Sequence, residues 1–382
     1  MLKKKKTIMP AILVIGISIY LLMQSGARVI EKFMLDIQKS LEQTAEQTFF
    51  PGMSYLMKTD EEKNWLESQL SVFMPSIEYV NQESSERTEI EDELTYEMIL
   101  EMQAKDAERM SEDLKEDLEK QEIETVSKEI SLEELKDFNY LISKFYTVDS
   151  TTMVYEEELN AEKLLSKDMH IDMETKGPKV LIFHTHSQET FADSKAGDVS
   201  TSIVGMGAYL AEKLNEKGIE TIHHAGVYDL IDGKLDRSKA YELSEIGVKD
   251  ILNQNPSIEV VIDLHRDGVR EDLRLVTEVE GKPAAKIMFF NGLSRTKANG
   301  DISYLYNPYK EDNLAFSLQM QIASESMYPG LARKIYLKGY RYSLHMMPRS
   351  LLIEAGAQTN TVQEMKNTMD LLANILYQVL VK

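Results

Sequence analysis

The chain has 382 residues, 43% of them hydrophobic, which is enough for one large or two ordinary domains with a real core. A formal net charge of −21, with no basic stripe beyond the N-terminus, excludes a nucleic-acid binder, which presents clustered Lys and Arg to phosphates. The absence of cysteine excludes disulfides, thiolate metal sites and a cysteine nucleophile, and leaves His and carboxylates as the strong ligands.

At the N-terminus, Lys3 to Lys6 precede an almost uncharged apolar stretch from Thr7 to Met23. By the positive-inside rule the lysines stay in the cytoplasm, so residues 1–27 are expected to be a single-pass membrane anchor, or a signal segment cleaved after Ser25-Gly-Ala27. The remainder of the chain is then extracytoplasmic and held at the cell membrane. Residues 28–82, with the only Trp at Trp65, read as a small extracytoplasmic region. Residues 83–145 read as an acidic, helical linker: Glu83 to Asp137 holds 21 acidic and 7 basic residues and neither Gly nor Pro, so it carries −14 of the −21.

Residues 146–382 alternate apolar runs with amphipathic stretches, the pattern of an α/β domain with a mostly parallel central sheet flanked by helices. Val180-Leu-Ile-Phe183 is the first long buried strand, and a helix over Ser202 to Lys217 is closed by Gly218. Ile219 to His223 is a second strand, Lys239 to Asn253 a helix, and Ile258 to Leu264 a third strand. Leu273 to Glu280 and Ala284 to Phe290, joined at Gly281-Lys282, are expected to form an antiparallel hairpin. A helix over Asn313 to Met327, strands at Lys334 to Tyr342 and Leu351 to Ile353, and a last helix opened by the capping box Thr361-x-x-Glu364 complete the domain.

Several of these strands end in residues able to bind a metal or move a proton. Val180 to Phe183 leads into His184-Thr-His186-Ser-Gln-Glu189, Val260 to Leu264 leads into His265, and Leu351-Leu-Ile353 stops at Glu354. Ligands of open α/β sheets bind beyond the carboxyl ends of the strands, so the three segments sketch one site. On an extended strand His184 and His186 face the same side, and Glu189 lies one turn further on. Two His and a Glu match a catalytic zinc, which takes three protein ligands and leaves a fourth position for water. Glu354 is the expected proton carrier, since a carboxylate after Leu-Leu-Ile is costly to bury without a partner. Blander readings stand beside these: His265 paired with Asp263 or Asp267, and Glu354 bonded to amides near Gly356. His170, His223, His224 and His345 read as structural, and Arg266, Asp267, Asn291, Asn313, Gln319 and Arg341 as polar candidates for substrate contact. No Gly-rich loop comes after the first strand, which disfavours a phosphate-binding domain.

These segments, with Tyr146-Thr-Val-Asp-Ser-Thr-Thr152, Met288-Phe-Phe-Asn-Gly-Leu-Ser294, Asn313-Leu-Ala-Phe-Ser-Leu-Gln319 and Leu352-Ile-Glu-Ala-Gly-Ala-Gln-Thr-Asn360, resemble the stage II sporulation protein P family from about Phe145 to the C-terminus. The resemblance implies a membrane-anchored peptidoglycan hydrolase acting in engulfment during sporulation: a zinc N-acetylmuramoyl-L-alanine amidase, also credited with cutting peptide cross-links, that works with the stage II sporulation proteins D and M. The wider zinc amidase pattern implies a ligand set of His186, Glu189 and His265. It also implies Glu354 as catalytic carboxylate in an E-x-G-x-x-x-N context closed by Asn360. A shorter gap from His to Glu than in that pattern leaves His184 open as the first ligand, as an orienting group or as a hydrogen-bond donor to the substrate carbonyl. The competing expectation is a wall-binding scaffold that recruits or activates partner hydrolases while its own site stays idle.

Overall fold

Every residue of Val180-Leu-Ile-Phe183 is buried, as a strand covered on both faces requires. Around it the computed structural model describes residues 130–382, apart from Asp232 and Ser238. The expected anchor, the region 28–82 and the linker up to residue 129 lie outside the described residues. No helix among the described residues is long and apolar enough to cross a membrane.

In chain order the helices are α1 Leu132–Leu135, α2 Phe138–Phe145, α3 Ala161–Leu165, α4 Ile203–Glu216, α5 Ala240–Gln254, α6 Lys310–Met327 and α7 Val362–Val381. The strands are β1 Tyr146–Val148, β2 Val180–Phe183, β3 Thr221–His223, β4 Leu230–Ile231, β5 Lys234–Leu235, β6 Val260–Asp267, β7 Val276–Val279, β8 Lys282–Ala285, β9 Ile287–Gly292, β10 Arg295–Thr296, β11 Gly300–Asp301, β12 Ile335–Lys338 and β13 Arg349–Ala357. Seven of them make the central sheet, in the order β1-β12-β9-β13-β6-β2-β3. All neighbours are parallel except β9 and β13. The mostly parallel α/β expectation therefore holds, in the form of two parallel blocks that meet head to tail.

The sheet's two faces have different tasks. Val180, Ile182, Val260, Ile262, Leu264, Phe289, Leu351 and Ile353 point into the main core, which Met206 and Leu210 of α4, Phe316 of α6 and Met369 and Leu372 of α7 complete. Each fully buried side chain of this kind stabilises the fold by about 1.5–3 kcal/mol. Leu135, Leu141 and Phe145 belong to the same core, so the packed unit takes in α1 and α2 as well as residues after 146. The opposite face carries two smaller apolar clusters, one of Leu181, Phe183 and Val261 under Val248 of α5, the other of Met288, Phe290, Tyr336 and Leu352. By strand alternation Asp263, His265 and Glu354 lie on this face, between the two clusters.

Three expectations change. The second arm of the hairpin stops early: β8 pairs with β7 only to Ala285, and Ile287–Gly292 is instead a central strand beside β13 and β12. Unbroken burial from Ile287 to Gly292 explains the difference, because a two-stranded ribbon cannot cover both faces of such a run. The strands of His265 and Glu354 also continue past these residues, to Asp267 and Ala357. On β13 this happens through a bulge, since the register passes from Glu354 opposite His265 to Ala357 opposite Asp267. Gly356 takes up the extra residue at φ 60°, where a Cβ would meet Met365 Sδ at 2.6 Å.

The helices over Ser202 to Lys217, Lys239 to Asn253 and Asn313 to Met327 are found within a few residues of their expected ends, and the Thr361–Glu364 capping box forms with both reciprocal bonds. Gly356→Ala is expected to lower the stability of the full chain by about 1–2 kcal/mol, the cost of placing a side chain in the left-handed region. Urea unfolding followed by circular dichroism measures it, and a midpoint equal to wild type would mean that the bulge is free to relax.

Candidate metal centre

Three of the sequence-predicted ligands come together. His186, Glu189 and His265 each offer a ligand atom, and these atoms all lie within 4.8 Å of one another. Glu189 Oε1 stands 3.7 Å from His186 Nδ1, and Oε2 stands 3.9 Å from His265 Nδ1. Donors bound to one tetrahedral zinc at 2.0–2.2 Å are about 3.4 Å apart, so the three atoms, within 4.8 Å of one another, would draw together to grip an ion. The two imidazole rings meet edge to face at 5.0 Å.

The sequence assembles this group by tying the loop after β2 to β6. Asp263 accepts hydrogen bonds from the Thr185 amide at 2.9 Å and the Thr185 hydroxyl at 2.7 Å, while its Oδ1 also lies 2.8 Å from His265 Nε2. With Nε2 facing Asp263, the ring presents Nδ1 to Glu189, the carboxylate–histidine arrangement that fixes a metal ligand's tautomer and raises its basicity. The Arg266 amide donates to Glu189 Oε2 at 2.9 Å, and Arg237 Nη2 lies 3.6 Å from Oε1.

Protonation is set by these contacts. Burial works against charge on His265, but Asp263, Glu189 and Glu354 outweigh it and hold the ring up at about 9. Burial likewise opposes ionised Glu189, yet His186, His265 and Arg266 bring it down to about 2. Burial alone is the leading cause that lowers His186.

Glu354 stands across the strand pair, with its Cα opposite that of His265. Burial pushes its carboxyl up to about 8; His265 opposes the rise and the charges of Asp267 and Glu189 add to it. Its Oε2 is shielded from solvent and has no hydrogen-bond partner, and the Gly356 amide donates to Lys286 O instead, so the reading of Glu354 as a carboxylate tied near Gly356 does not hold. Asp267 pairs with Arg333 at 2.7 Å, which leaves Asp263 as the partner of His265.

His184 is not brought to the cluster. Its Nδ1 lies 2.7 Å from Leu264 O and its Nε2 lies 3.0 Å from His223 Nε2. The bend at Thr185 ends the two-residue alternation, so His184 and His186 do not share a side. Burial lowers His184 to about 4 and, with His224 adding, His223 to about 4 as well.

Of the polar candidates, Arg266 is the one bonded to the cluster. Asn313 donates to the carbonyls of Met347 and Pro348, Gln319 to those of Leu164 and Lys167, and Asn291 accepts from Ser317, all ties within the fold. Arg341 lies 3.5 Å from Glu245. Asn360 holds the turn after β13, accepting from the Ala357 amide and donating to Leu275 O and to Glu364. Sequence reasoning missed Tyr241, whose ring packs edge-on 5.7 Å from His186, and Arg237. The available signal was position: α5 is the crossover helix between β3 and β6 of the central sheet, so its first turn falls on the rim where those strands end.

Fold and site define an α/β domain with a His–Glu–His donor set and an adjacent half-buried Glu354, one of whose carboxyl oxygens is shielded from solvent. Residues 60–377 match the family model for stage II sporulation protein P, and the chain belongs to that family. The stage II sporulation protein P of Bacillus subtilis (strain 168) is 23% identical over 254 residues, and the match spans 60% of this chain and 60% of that relative's length. Among solved structures, the CwlD amidase from Clostridioides difficile, in complex with the GerS lipoprotein, is similar at 16% identity over 52% of this chain and 94% of that one, with a TM-score of 0.32. The N-acetylmuramyl-L-alanine amidase Ami1 from Mycobacterium smegmatis is similar at 9% identity over 56% and 98%, also with a TM-score of 0.32.

Asp263→Asn is expected to weaken zinc binding by about 10–100-fold, the usual cost of losing a ligand's outer partner. Competition of the full-length protein against a chromophoric chelator reads this directly. Affinity equal to wild type would show that Asp263 supports the fold alone.

Proposed function

We propose that the protein is a peptidoglycan hydrolase that cleaves the amide between N-acetylmuramic acid and the L-alanine of the stem peptide. The observation that carries the reading is the trio His186, Glu189 and His265 beside a buried Glu354 oxygen that no hydrogen bond satisfies. Structural carboxylates in protein interiors are paired, whereas one left without a partner next to a metal-type donor set is placed for proton transfer.

The donor chemistry fits zinc, with His186, Glu189 and His265 as the residues that would hold it; when bound, zinc supplies a Lewis acid for the carbonyl and lowers the pKa of water. In its ionised form Glu354 takes a proton from the attacking water as the new C–O bond forms at the carbonyl carbon. The same carboxyl returns that proton to the nitrogen as the C–N bond breaks, so one water is consumed and Glu354 ends as it began. Asp263 keeps His265 in its orientation, and the Arg266 amide keeps Glu189 in place. Peptide cross-links are amides open to the same chemistry and form the second substrate class of the proposal.

Family membership supports sporulation as the setting and engulfment as the step. The lysines and apolar run of residues 1–27 support action outside the membrane, tethered to it, and the stage II sporulation proteins D and M are the partners proposed on the family resemblance. Full-length protein is expected to release N-acetylmuramoyl and L-alanyl ends from purified sacculi, to stop when chelated and to recover with zinc; mass analysis of the muropeptides checks this. Glu354→Gln should still bind zinc and lose about 10²–10⁴-fold in turnover. Sacculi bound but uncut by wild-type protein would instead support the scaffold that recruits other hydrolases.

A further inference from the structure

A hydrolase of this kind needs, besides the proton carrier, a donor for the carbonyl oxygen as that oxygen becomes anionic. Most donors around the cluster are already committed. The Arg266 amide and Arg237 face Glu189, and the Thr185 amide and hydroxyl serve Asp263. We propose that Tyr241 is a catalytic hydrogen-bond donor whose phenol O–H, presented by the first turn of α5 against His186, takes the oxygen of the scissile carbonyl. The inference rests on the amidase reading of the same site.

The placement of the ring is what carries it. Tyr241 is half-buried on the rim, and its ring packs edge to face against His186 at 5.7 Å with 70° between the planes. On its other side it meets Tyr342 at 5.4 Å and 72°, and Tyr342 in turn meets Phe290 at 4.7 Å and 88°. Tyr342 itself has a backbone φ of 53°, rare for a bulky residue. Such strain persists only where the surroundings over-determine it, and here Glu245 of α5 faces both neighbours of that loop, Arg341 at 3.5 Å and His345 at 3.0 Å. Ser244, on the same helix, lies 3.3 Å from the Thr185 hydroxyl and bonds back to Tyr241 O. The phenol is thus fixed from the helix, the loop and the neighbouring rings, the preorganisation that an oxyanion donor requires.

The electrostatics are consistent with a donor. The position at the start of α5 adds the partial positive end of the helix where negative charge develops.

The test compares full-length wild type, Tyr241→Phe, Tyr209→Phe and Glu354→Gln on soluble muropeptides. Removing one oxyanion donor costs about 10²–10³-fold in kcat, so Tyr241→Phe should lose that much while KM, Tm and bound zinc stay at wild-type values. Tyr209→Phe, which removes a hydroxyl bonded to Asp370 and outside the ring cluster, should keep its activity. A second readout is affinity for a phosphinate mimic of the tetrahedral state. Tyr241→Phe should weaken it by the same factor as kcat/KM, and should leave substrate affinity unchanged when measured in the Glu354→Gln background. A Tyr241→Phe enzyme within about threefold of wild type in kcat, or with unchanged mimic affinity, overturns the assignment while the amidase reading stands. Wild type that releases no muramoyl product, or Glu354→Gln as active as wild type, overturns the amidase reading and Tyr241 with it.

Discussion

The carboxylate of Asp263 is the joint on which the site depends. It is 2% exposed, and an ionised carboxylate at that depth costs several kcal/mol unless its oxygens are bonded. Thr185 and His265 provide those bonds, and they belong to different segments: the loop after β2 and the strand β6. The requirement to satisfy one buried charge therefore fixes the distance between the loop that carries His186 and Glu189 and the strand that carries His265. Without that carboxylate the two donors of Thr185 and the ring of His265 lose their shared acceptor at once, so the loop and the strand lose this tie together.

The sheet's construction supplies the fourth member. β13 lies between the two parallel blocks, parallel to β6 on one side and antiparallel to β9 on the other. Glu354 therefore has His265 on one neighbouring strand and Met288 on the other, a polar and an apolar flank for one carboxyl. The bulge after Glu354 lets β13 turn away through Gly356 without moving Glu354 out of register with His265. An apolar flank raises the cost of charge on Glu354 and the polar flank lowers it, which is why its protonation depends on what His265 and Glu189 are doing.

Much of this was legible in the sequence, because buried parallel strands announce themselves as unbroken apolar runs and their ends converge on one rim. That reasoning reached His186, Glu189, His265 and Glu354 from three segments far apart in the chain. It failed wherever a local feature broke the simple period. The bend at Thr185 separates His184 from His186, and nothing in His-Thr-His distinguishes a bend from a continuing strand. Ile287–Gly292 looks like a hairpin arm because Gly281 makes a good turn, yet its burial on both faces comes from β13 and β12, which lie much later in the chain. Tyr241 escaped because attention to strand ends ignores the helix starts that share their rim.

The two histidines of the His-Thr-His motif show how one backbone contact sorts ligand from scaffold. A carbonyl can only accept, so the 2.7 Å contact from Leu264 O requires the proton of His184 on Nδ1. A neutral His184 then has an accepting Nε2, and His223 must donate to it across 3.0 Å. Both nitrogens are spent, and α4 seals the pair: a Cβ on Gly207 would stand 2.4 Å from His184 Nε2 and 2.9 Å from His223 Nε2. His265 has the reverse assignment, its outer nitrogen held by an acid and its inner one turned toward Glu189. A ring bonded on one side by a carboxylate keeps a basic nitrogen for a cation, whereas a ring bonded on both sides by neutral groups has nothing left to offer. His184 thereby becomes a peg that locks the end of β2 to β6, and its contribution to the cluster is to hold still the loop from which His186 and Glu189 reach across.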